Sequence, residues 1–204
     1  GDTPVMAYLT QDADRIRGPS SRRRFSLLAL VALCFLALPT LASDAQIRDV
    51  RTLLSDGVYR LGARIDFSLN ETLQQALQNG VPLVLELRIE VIRERDWLWA
   101  ERAAQLRQRF GLQFHALTRR YLVDNYSTDV QYSFLELEEA LDYIGNIYDL
   151  PLIDANLLKP QYTYWVRMRA DLDIESLPTP VRLWAYLGSD WSLQSDWHQW
   201  PLQP

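Results

Sequence analysis

Apolar and polar residues alternate along several stretches of this chain, most clearly in Leu83–Val91. Every second residue there is apolar, and Glu86, Arg88 and Glu90 lie between the apolar positions. Because successive side chains of a strand point to opposite faces, the pattern predicts a long β-strand with one buried face and one solvent-facing side. Similar patterns predict further strands at 47–54, 61–69, 112–123, 130–132, 164–172 and 181–187. Asp56-Gly57 predicts a turn that joins the first two of these as a hairpin, and Asp124-Asn125 predicts a turn after 112–123.

Two short helices are predicted between these strands. Asn70 is a suitable N-cap for the first helix, and Gly80 suits the left-handed conformation that often follows a helix end. Ser133 and Glu136 have the spacing of a capping box, which predicts that the second helix starts there. The apolar positions that the helices would bury are Leu73 and Leu77 in the first, and Leu137, Ala140, Leu141 and Ile144 in the second.

The remaining segments decide the architecture. Residues 96–111 are compatible with either a helix or an extended chain. Residues 149–160 hold two prolines and predict a loop, and Leu177–Pro180 predicts a rigid turn. Many strands, few helices and no regular βαβ alternation predict a mostly-β fold, an antiparallel β-sandwich with one or two peripheral helices. A single-sheet α+β arrangement is the alternative.

The first 45 residues have the order of an export signal. Residues 1–20 are polar and are predicted to be disordered. Arginines at 22–24 then precede an apolar run, Phe25–Leu38, and a stretch of small residues. This order predicts a secretory signal peptide over 21–45. The alternative is an uncleaved signal anchor, because Phe25–Ala42 just reaches the roughly 17 residues that can span a bilayer.

Residues 46–204 are predicted to be a single sandwich-like domain in the periplasm, or at the inner membrane if the anchor is retained. The chain is 48% hydrophobic, which is enough for one sizeable core. Its single cysteine, Cys34, lies in the signal region, so a processed domain has no disulfide, thiolate nucleophile or cysteine metal site. Beyond residue 43 there are 16 basic and 23 acidic residues, a net charge of −7, which disfavours nucleic acid and anionic lipid as partners.

Residue sets that could carry catalysis are sparse. His115 and His198 are far apart in sequence and lack the spacing of a zinc motif. The acidic residues at 136–142 flank an apolar stripe, as solvated helix faces do, although paired carboxylates also serve glycoside hydrolysis. The chain has no nucleophile elbow and no glycine-rich phosphate loop. We therefore expect a protein that is not an enzyme and that uses no cofactor and no metal.

The tryptophans are the strongest candidates for contact with a ligand or partner. Trp97, Trp99 and Trp165 lie among charged neighbours and are predicted to form an interaction surface. Trp191 and Trp197 follow a two-residue period and are predicted to pack in the core.

The order of several short blocks resembles the proteobacterial exported proteins described as domain of unknown function 4390. The resemblance covers nearly all of the chain after residue 46. The blocks that carry it are Asp56-Gly57, Ala76–Leu83, His115–Tyr121, Phe134–Leu141, Leu177–Pro180 and Trp191–Trp197. The family has no established activity, so the resemblance implies no catalytic residues. Its genes often lie near those of a ribosomal RNA methyltransferase and a membrane-bound sensor kinase, which implies a link to envelope signalling.

Three hypotheses for function follow. The leading one is a non-enzymatic exported domain that binds another envelope protein, for example the extracytoplasmic part of a sensor kinase. The second is an envelope domain that binds or cleaves glycans, which would need exposed tryptophans around a carboxylate. The third is a structural protein tethered to the membrane by an uncleaved Phe25–Ala42.

Overall fold

The structure, a computed structural model, describes residues 44–94 and 101–202. In this part of the chain nine strands and three α-helices surround a hydrophobic core. The strands are β1 (Ala45–Ser55), β2 (Val58–Phe67), β3 (Leu83–Arg93), β4 (Glu101–His115), β5 (Arg120–Asn125), β6 (Val130–Phe134), β7 (Asn146–Asp154), β8 (Tyr164–Leu172) and β9 (His198–Leu202). The helices are α1 (Glu71–Gln78), α2 (Leu137–Gly145) and α3 (Thr179–Leu187).

The strands form two antiparallel sheets. The smaller sheet has the order β1-β2-β7, and the larger sheet has the order β6-β5-β4-β3-β8-β9. Buried side chains of both sheets belong to one core cluster, which includes Leu61 and Ile65 of the smaller sheet and Leu87, Ile89 and Met168 of the larger one. The predicted mostly-β fold, with antiparallel sheets and a few helices, is therefore confirmed.

The first turn and the first helix of the fold form where the local sequence predicted them. Asp56 and Gly57 have φ angles of 50° and 77°, which are the positive values needed for the tight hairpin turn between β1 and β2. The Asn70 side chain accepts a hydrogen bond from the backbone N–H of Leu73 at 2.9 Å, so it caps α1. Gly80 follows the helix with φ 82°. The hairpin and the first helix were thus correctly predicted.

The strands β3 and β8 lie side by side at the centre of the larger sheet. Ile89 is directly opposite Met168, and Leu87 is opposite Ala170, and all four side chains are fully buried. Along β8, burial alternates at every residue from Tyr164 to Leu172. The pairing of β3 with β8 and the alternation along β8 confirm the two strongest strand predictions.

The predicted solvent-facing side of β3 is wrong. Glu86 is only 6% exposed and Glu90 only 2% exposed. The reason is the position of β3 between β4 and β8, since long arginine side chains of both neighbours lie over the same face. A charged residue between two apolar ones therefore did not mark an exposed position here.

The segment 96–111 was compatible with a helix or an extended chain, and its described part is extended. The prediction for the segment that follows it needs correction. From Glu101 onward the chain is extended, in β4, while residues 95–100 lie outside the described part. The predicted strand 112–123 is broken, because the chain turns between β4 and β5 with Arg119 at φ 53°. The turn that was predicted at Asp124-Asn125 lies just after these residues.

The predicted capping box is also wrong. Ser133 is the fourth residue of β6, and its hydroxyl accepts a hydrogen bond from Arg120 Nε at 2.5 Å. Helix α2 begins after Glu136 without a side-chain cap. Its predicted apolar stripe is confirmed, since Ala140, Leu141 and Ile144 are buried.

Two proline-containing segments differ from prediction. Residues 146–154, which include the first half of the predicted loop, form strand β7 at the edge of the smaller sheet. An edge strand tolerates Pro151 because one side of the strand needs no ladder hydrogen bond. The predicted strand 181–187 is helix α3, whose first turn holds Pro180. Proline fits that turn because the N–H groups there have no partner within the helix.

The N-terminal predictions concern residues 1–43, which lie outside the described part of the chain. Disorder over 1–20 and a signal peptide or anchor over 21–45 therefore stay predictions. Within residues 44–94 and 101–202, no helix combines the length and the apolar character that a membrane crossing requires.

Candidate functional site

A layer of charged side chains covers the side of the larger sheet that faces away from the core. Register places Arg109 and Asp171 on either side of Glu86, and Arg107 and Arg169 on either side of Arg88. We call this surface the arginine face. Its members are Glu86, Arg88 and Glu90 of β3, Arg102, Arg107 and Arg109 of β4, and Arg167, Arg169 and Asp171 of β8.

The two signs of charge lie at different depths in the arginine face. The side chains of Glu90 and Glu86 are 3% and 8% exposed, whereas those of Arg107 and Arg102 are 58% and 53% exposed. The carboxylates therefore form a lower layer and the guanidinium groups an upper one. As a result the surface that meets solvent is mainly positive, although the domain as a whole is acidic.

Glu90 holds two arginines from opposite neighbouring strands. Its Oε2 atom lies 2.7 Å from Arg167 Nε and 2.6 Å from Arg167 Nη2, and its Oε1 atom lies 3.3 Å from Arg102 Nε. A buried carboxylate needs such partners, because leaving it unpaired would cost several kcal/mol. The same contacts keep both guanidinium groups in defined positions.

A second set of contacts centres on Arg88. Its Nη2 atom donates to Glu86 Oε1 at 3.1 Å and lies 3.6 Å from Asp171 Oδ1. Burial works against the charged guanidinium, but the hydrogen bond to Glu86 and the nearby carboxylates outweigh it and raise the pKa of Arg88. Burial raises the pKa of Asp171, against the opposing effect of Arg88 and Arg169.

Asp173 closes one end of the arginine face. It accepts hydrogen bonds from Arg109 Nη2 and from the Ser176 hydroxyl, both at 2.6 Å. Burial alone would raise its pKa, but these two bonds, together with the positive charge of Arg109 and a backbone hydrogen bond from Glu175, outweigh burial and lower the pKa of Asp173. With this residue the cluster comprises six arginines and four carboxylates, which leaves two positive charges in excess.

Asp171→Asn and Asp173→Asn are expected to change stability with opposite dependence on pH. Because the pKa of Asp171 is raised in the folded state, its ionisation removes stability as pH rises above about 3.9. The free energy of unfolding of D171N, relative to that of the wild type, should therefore increase as pH rises through this range. Because the pKa of Asp173 is lowered, D173N should be less stable at neutral pH, and the difference should close below about pH 3.9.

Urea unfolding of the three proteins from about pH 3 to pH 6 measures both differences. Curves for D171N and D173N that run parallel to the wild type would contradict the assignment. Since the two residues are near neighbours, each variant is the other's control.

Aromatic rings border the arginine face. Trp165, which was predicted to contact a partner, is half-buried on β8, and its indole N–H donates to Glu94 at 3.0 Å. The Arg167 guanidinium lies 4.6 Å from the ring centre of Trp197, which is 37% exposed. The predicted burial of Trp197 is therefore wrong, whereas Trp191 packs against the core. Trp97 and Trp99 lie outside the described residues.

The other sequence candidates lie away from the arginine face. The His115 ring is 2.9 Å from the Thr118 hydroxyl, a local contact at the end of β4. Glu136 lines an open cleft of about 680 Å³ together with Tyr121 and Arg119. Burial, with the nearby carboxylates of Glu138 and Glu136, raises the pKa of Tyr121. Among the described residues no group of three or more His, Cys, Asp and Glu side chains is placed to hold a metal ion.

A family model described as domain of unknown function DUF4390 matches residues 42–201. The chain belongs to the DUF4390 family. Searches of curated proteins and of solved structures gave no match. The DUF4390 match includes all of β3, β4 and β8, so the arginine face lies within the family domain.

Sequence reasoning missed the arginines that make up the candidate site of this DUF4390 domain. A signal was present, since Arg107 and Arg109 alternate along β4, and Arg167 and Arg169 alternate along β8. In β8 they alternate with apolar residues, which assigns them to the side opposite the core. The missing information was which strands are neighbours of β3.

Proposed function

We propose that this DUF4390 domain is an exported, non-enzymatic protein-binding module of the cell envelope, and that its arginine face binds an acidic segment of a partner protein. The layered charge of that face is the observation that carries the proposal. The guanidinium groups of Arg102 and Arg167 are already held in place by the buried carboxylate of Glu90, so ordering them on binding costs little entropy.

The chemistry of the face suits an acidic protein segment. Guanidinium groups form paired hydrogen bonds with carboxylates, and arginine and tryptophan are enriched among residues that dominate binding energies. Arg107 and Arg102 are the most exposed cations of the arginine face, and Trp165 and Trp197 lie at its border. Because the domain as a whole is acidic, with a net charge of −7, an acidic partner segment is also steered toward the positive arginine face.

The proposed location is the periplasm, or the outer side of the inner membrane if the N-terminal segment is retained. The proposed partner is an envelope protein, and the extracytoplasmic part of a membrane sensor kinase is the specific candidate. The order of basic, apolar and small residues before Ala45 supports export. The glycan hypothesis stays open as the alternative.

Capture of partner proteins by charge-matched variants tests the proposal. Arg102→Gln/Arg107→Gln removes two charges that are 53% and 58% exposed from the arginine face. Arg48→Gln/Arg64→Gln removes two charges that are 58% and 56% exposed from the smaller sheet. With full-length bait in envelope extracts, the first variant should recover specific partners at least about tenfold less than wild type, about 1.4 kcal/mol, and the second should match wild type.

Quantitative mass spectrometry of the captured proteins is the measurement, and thermal unfolding shows that both variants are folded. Capture should also weaken as salt concentration rises, because exposed charges are screened. Equal capture by both double variants, or no protein that wild-type bait recovers reproducibly, would refute the proposal.

A further inference from the structure

Helix α3 carries a second surface of a different kind. We infer that its exposed apolar side chains lie on the surface of a lipid bilayer, beside the point where the N-terminal chain joins the domain. This inference goes beyond the proposed binding function and uses different residues. We call the exposed side chains Leu183, Trp184, Tyr186 and Leu187 the α3 patch.

The burial of α3 is unusual for a helix of this composition. Arg182 is its only charged residue, yet Ala185 is its only buried one. Leu183 is 64% exposed, Trp184 70% and Leu187 83%. Residues three and four apart share one side of a helix, so these three side chains form one continuous apolar strip.

The polar groups of α3 point back to the protein. Both Arg182 Nε and Nη2 donate to the backbone carbonyl of Leu177, and Nη1 lies 3.7 Å from Glu175 Oε2. The Tyr186 hydroxyl donates to Glu175. The guanidinium group of Arg182 and the hydroxyl group of Tyr186 are therefore bonded to residues that precede the helix, and the exposed apolar strip carries no charge of its own.

Hydrogen bonds connect the segment after α3 with the residues where the described chain begins. The Asp44 carbonyl accepts a hydrogen bond from Ser68 N–H at 2.8 Å, and two residues later Asn70 Nδ2 donates to the Asp190 carbonyl at 2.8 Å. Asp190 follows the end of α3 by three residues. A short bonded path thus joins the start of the domain to the end of α3.

The sequence before Asp44 explains why lipid is the fitting occupant. The apolar run Phe25–Ala42 ends only two residues earlier. If that run is embedded in a bilayer, the start of the domain stays within a few residues' reach of the lipid surface, since each residue spans at most about 3.6 Å. Tryptophan, tyrosine and leucine are the residues that favour the boundary between headgroups and acyl chains.

A second copy of the chain fits the α3 patch less well. Its four side chains expose on the order of 500 Å² in total, whereas a standard protein interface buries about 800 Å² on each partner. A lipid surface needs no matching partner patch. Glu175 and Asp190 flank the helix, so a zwitterionic surface suits it better than an anionic one.

Quenching of tryptophan fluorescence by brominated lipid tests the inference. All 7 tryptophans of the chain follow residue 96, so the signal reports on the domain and not on the apolar run. The full chain is reconstituted into phosphatidylcholine vesicles with and without lipid that carries bromine near the headgroup end of the acyl chains. Bromine should quench the wild type, and Trp184→Phe should remove at least about half of the quenched intensity.

Matched variants separate the α3 patch from general hydrophobicity. Leu183→Ser/Leu187→Ser should reduce quenching, whereas Leu117→Ser, at a side chain that is 93% exposed in the turn after β4, should not. Trp197→Phe should leave the quenched component in place.

Several results would overturn the inference. These are a full chain that does not float with the vesicles, a wild type that bromine does not quench, and equal quenching of wild type and W184F. A dimer in sedimentation that L183S/L187S dissociates would assign the patch to a second copy. Cross-linking of the apolar run to α3 would assign it to the chain's own N-terminal segment.

Discussion

Gly145→Ala is expected to destabilise the domain by at least about 3 kcal/mol, because the added Cβ has no space. A Cβ at Gly145 would lie 2.0 Å from the backbone carbonyl oxygen of Ile65 and 3.1 Å from its carbonyl carbon. Gly145 ends α2 where the chain passes into β7, and Ile65 belongs to β2. The clash is with backbone, so relief requires α2 and β2 to separate.

The closest control is Gly188→Ala at the end of α3. Its φ is −115°, which alanine adopts freely, and the nearest atom to an added Cβ lies 3.5 Å away. Thermal unfolding should show a midpoint about 6–12 °C lower for G145A and close to wild type for G188A. Equal midpoints for the two variants would contradict the packing of α2 on β2.

Glu90→Gln is expected to cost about 2–3 kcal/mol of stability, although the two side chains have nearly the same shape. The substitution removes the charge that pairs with Arg167 at 2.6 Å and with Arg102 at 3.3 Å. The cost lies below the roughly 3–5 kcal/mol expected for breaking a fully buried ion pair, because both arginines are partly exposed and water can solvate them. Urea unfolding measures the loss, and Glu139→Gln, at an exposed position of α2, should stay within about 0.5 kcal/mol of wild type.

A double-mutant cycle of Glu90→Gln with Arg167→Gln separates the pair from the single substitutions. We expect a coupling energy of about 1 kcal/mol or more, since the two side chains are in direct contact. Additive losses would show that Glu90 does not hold Arg167.

The same variant distinguishes two ways in which the arginine face could bind. Glu90→Gln makes the face more positive but releases Arg102 and Arg167 from their shared carboxylate. If ordered guanidinium groups bind the partner, capture should fall. If net charge alone decided binding, capture would rise, and the proposed role of the buried carboxylates would be wrong.

Local sequence patterns suffice for the parts of this fold that depend on nearby residues. The alternation in β8, the turn at Asp56-Gly57 and the cap at Asn70 were all readable, because each depends on residues that are neighbours in sequence. The family, too, follows from the order of short blocks and is confirmed by the match over residues 42–201.

Local patterns failed where a distant element competes. Residues 181–187 contain alternation that is compatible with a strand, but the prolines before them fit the first turn of a helix. Pro151 indicated a loop, yet it lies in β7. This strand pairs only with β2, and proline is tolerated at such an edge because one side of the strand forms no backbone hydrogen bonds. Propensity is a weak guide in such segments, because tertiary pairing outweighs it.

The sequence by itself determined strands β1, β2, β3 and β8, the mostly-β class and the family, because these depend on the two-residue period and on signals a few residues long. Only the tertiary structure decided that Glu90 is buried, since the arginine that covers it, Arg167, is 77 residues away. It also decided that α3 exposes nearly all of its apolar residues. Burial depends on which elements become neighbours, and that choice is made by long-range pairing rather than by local pattern.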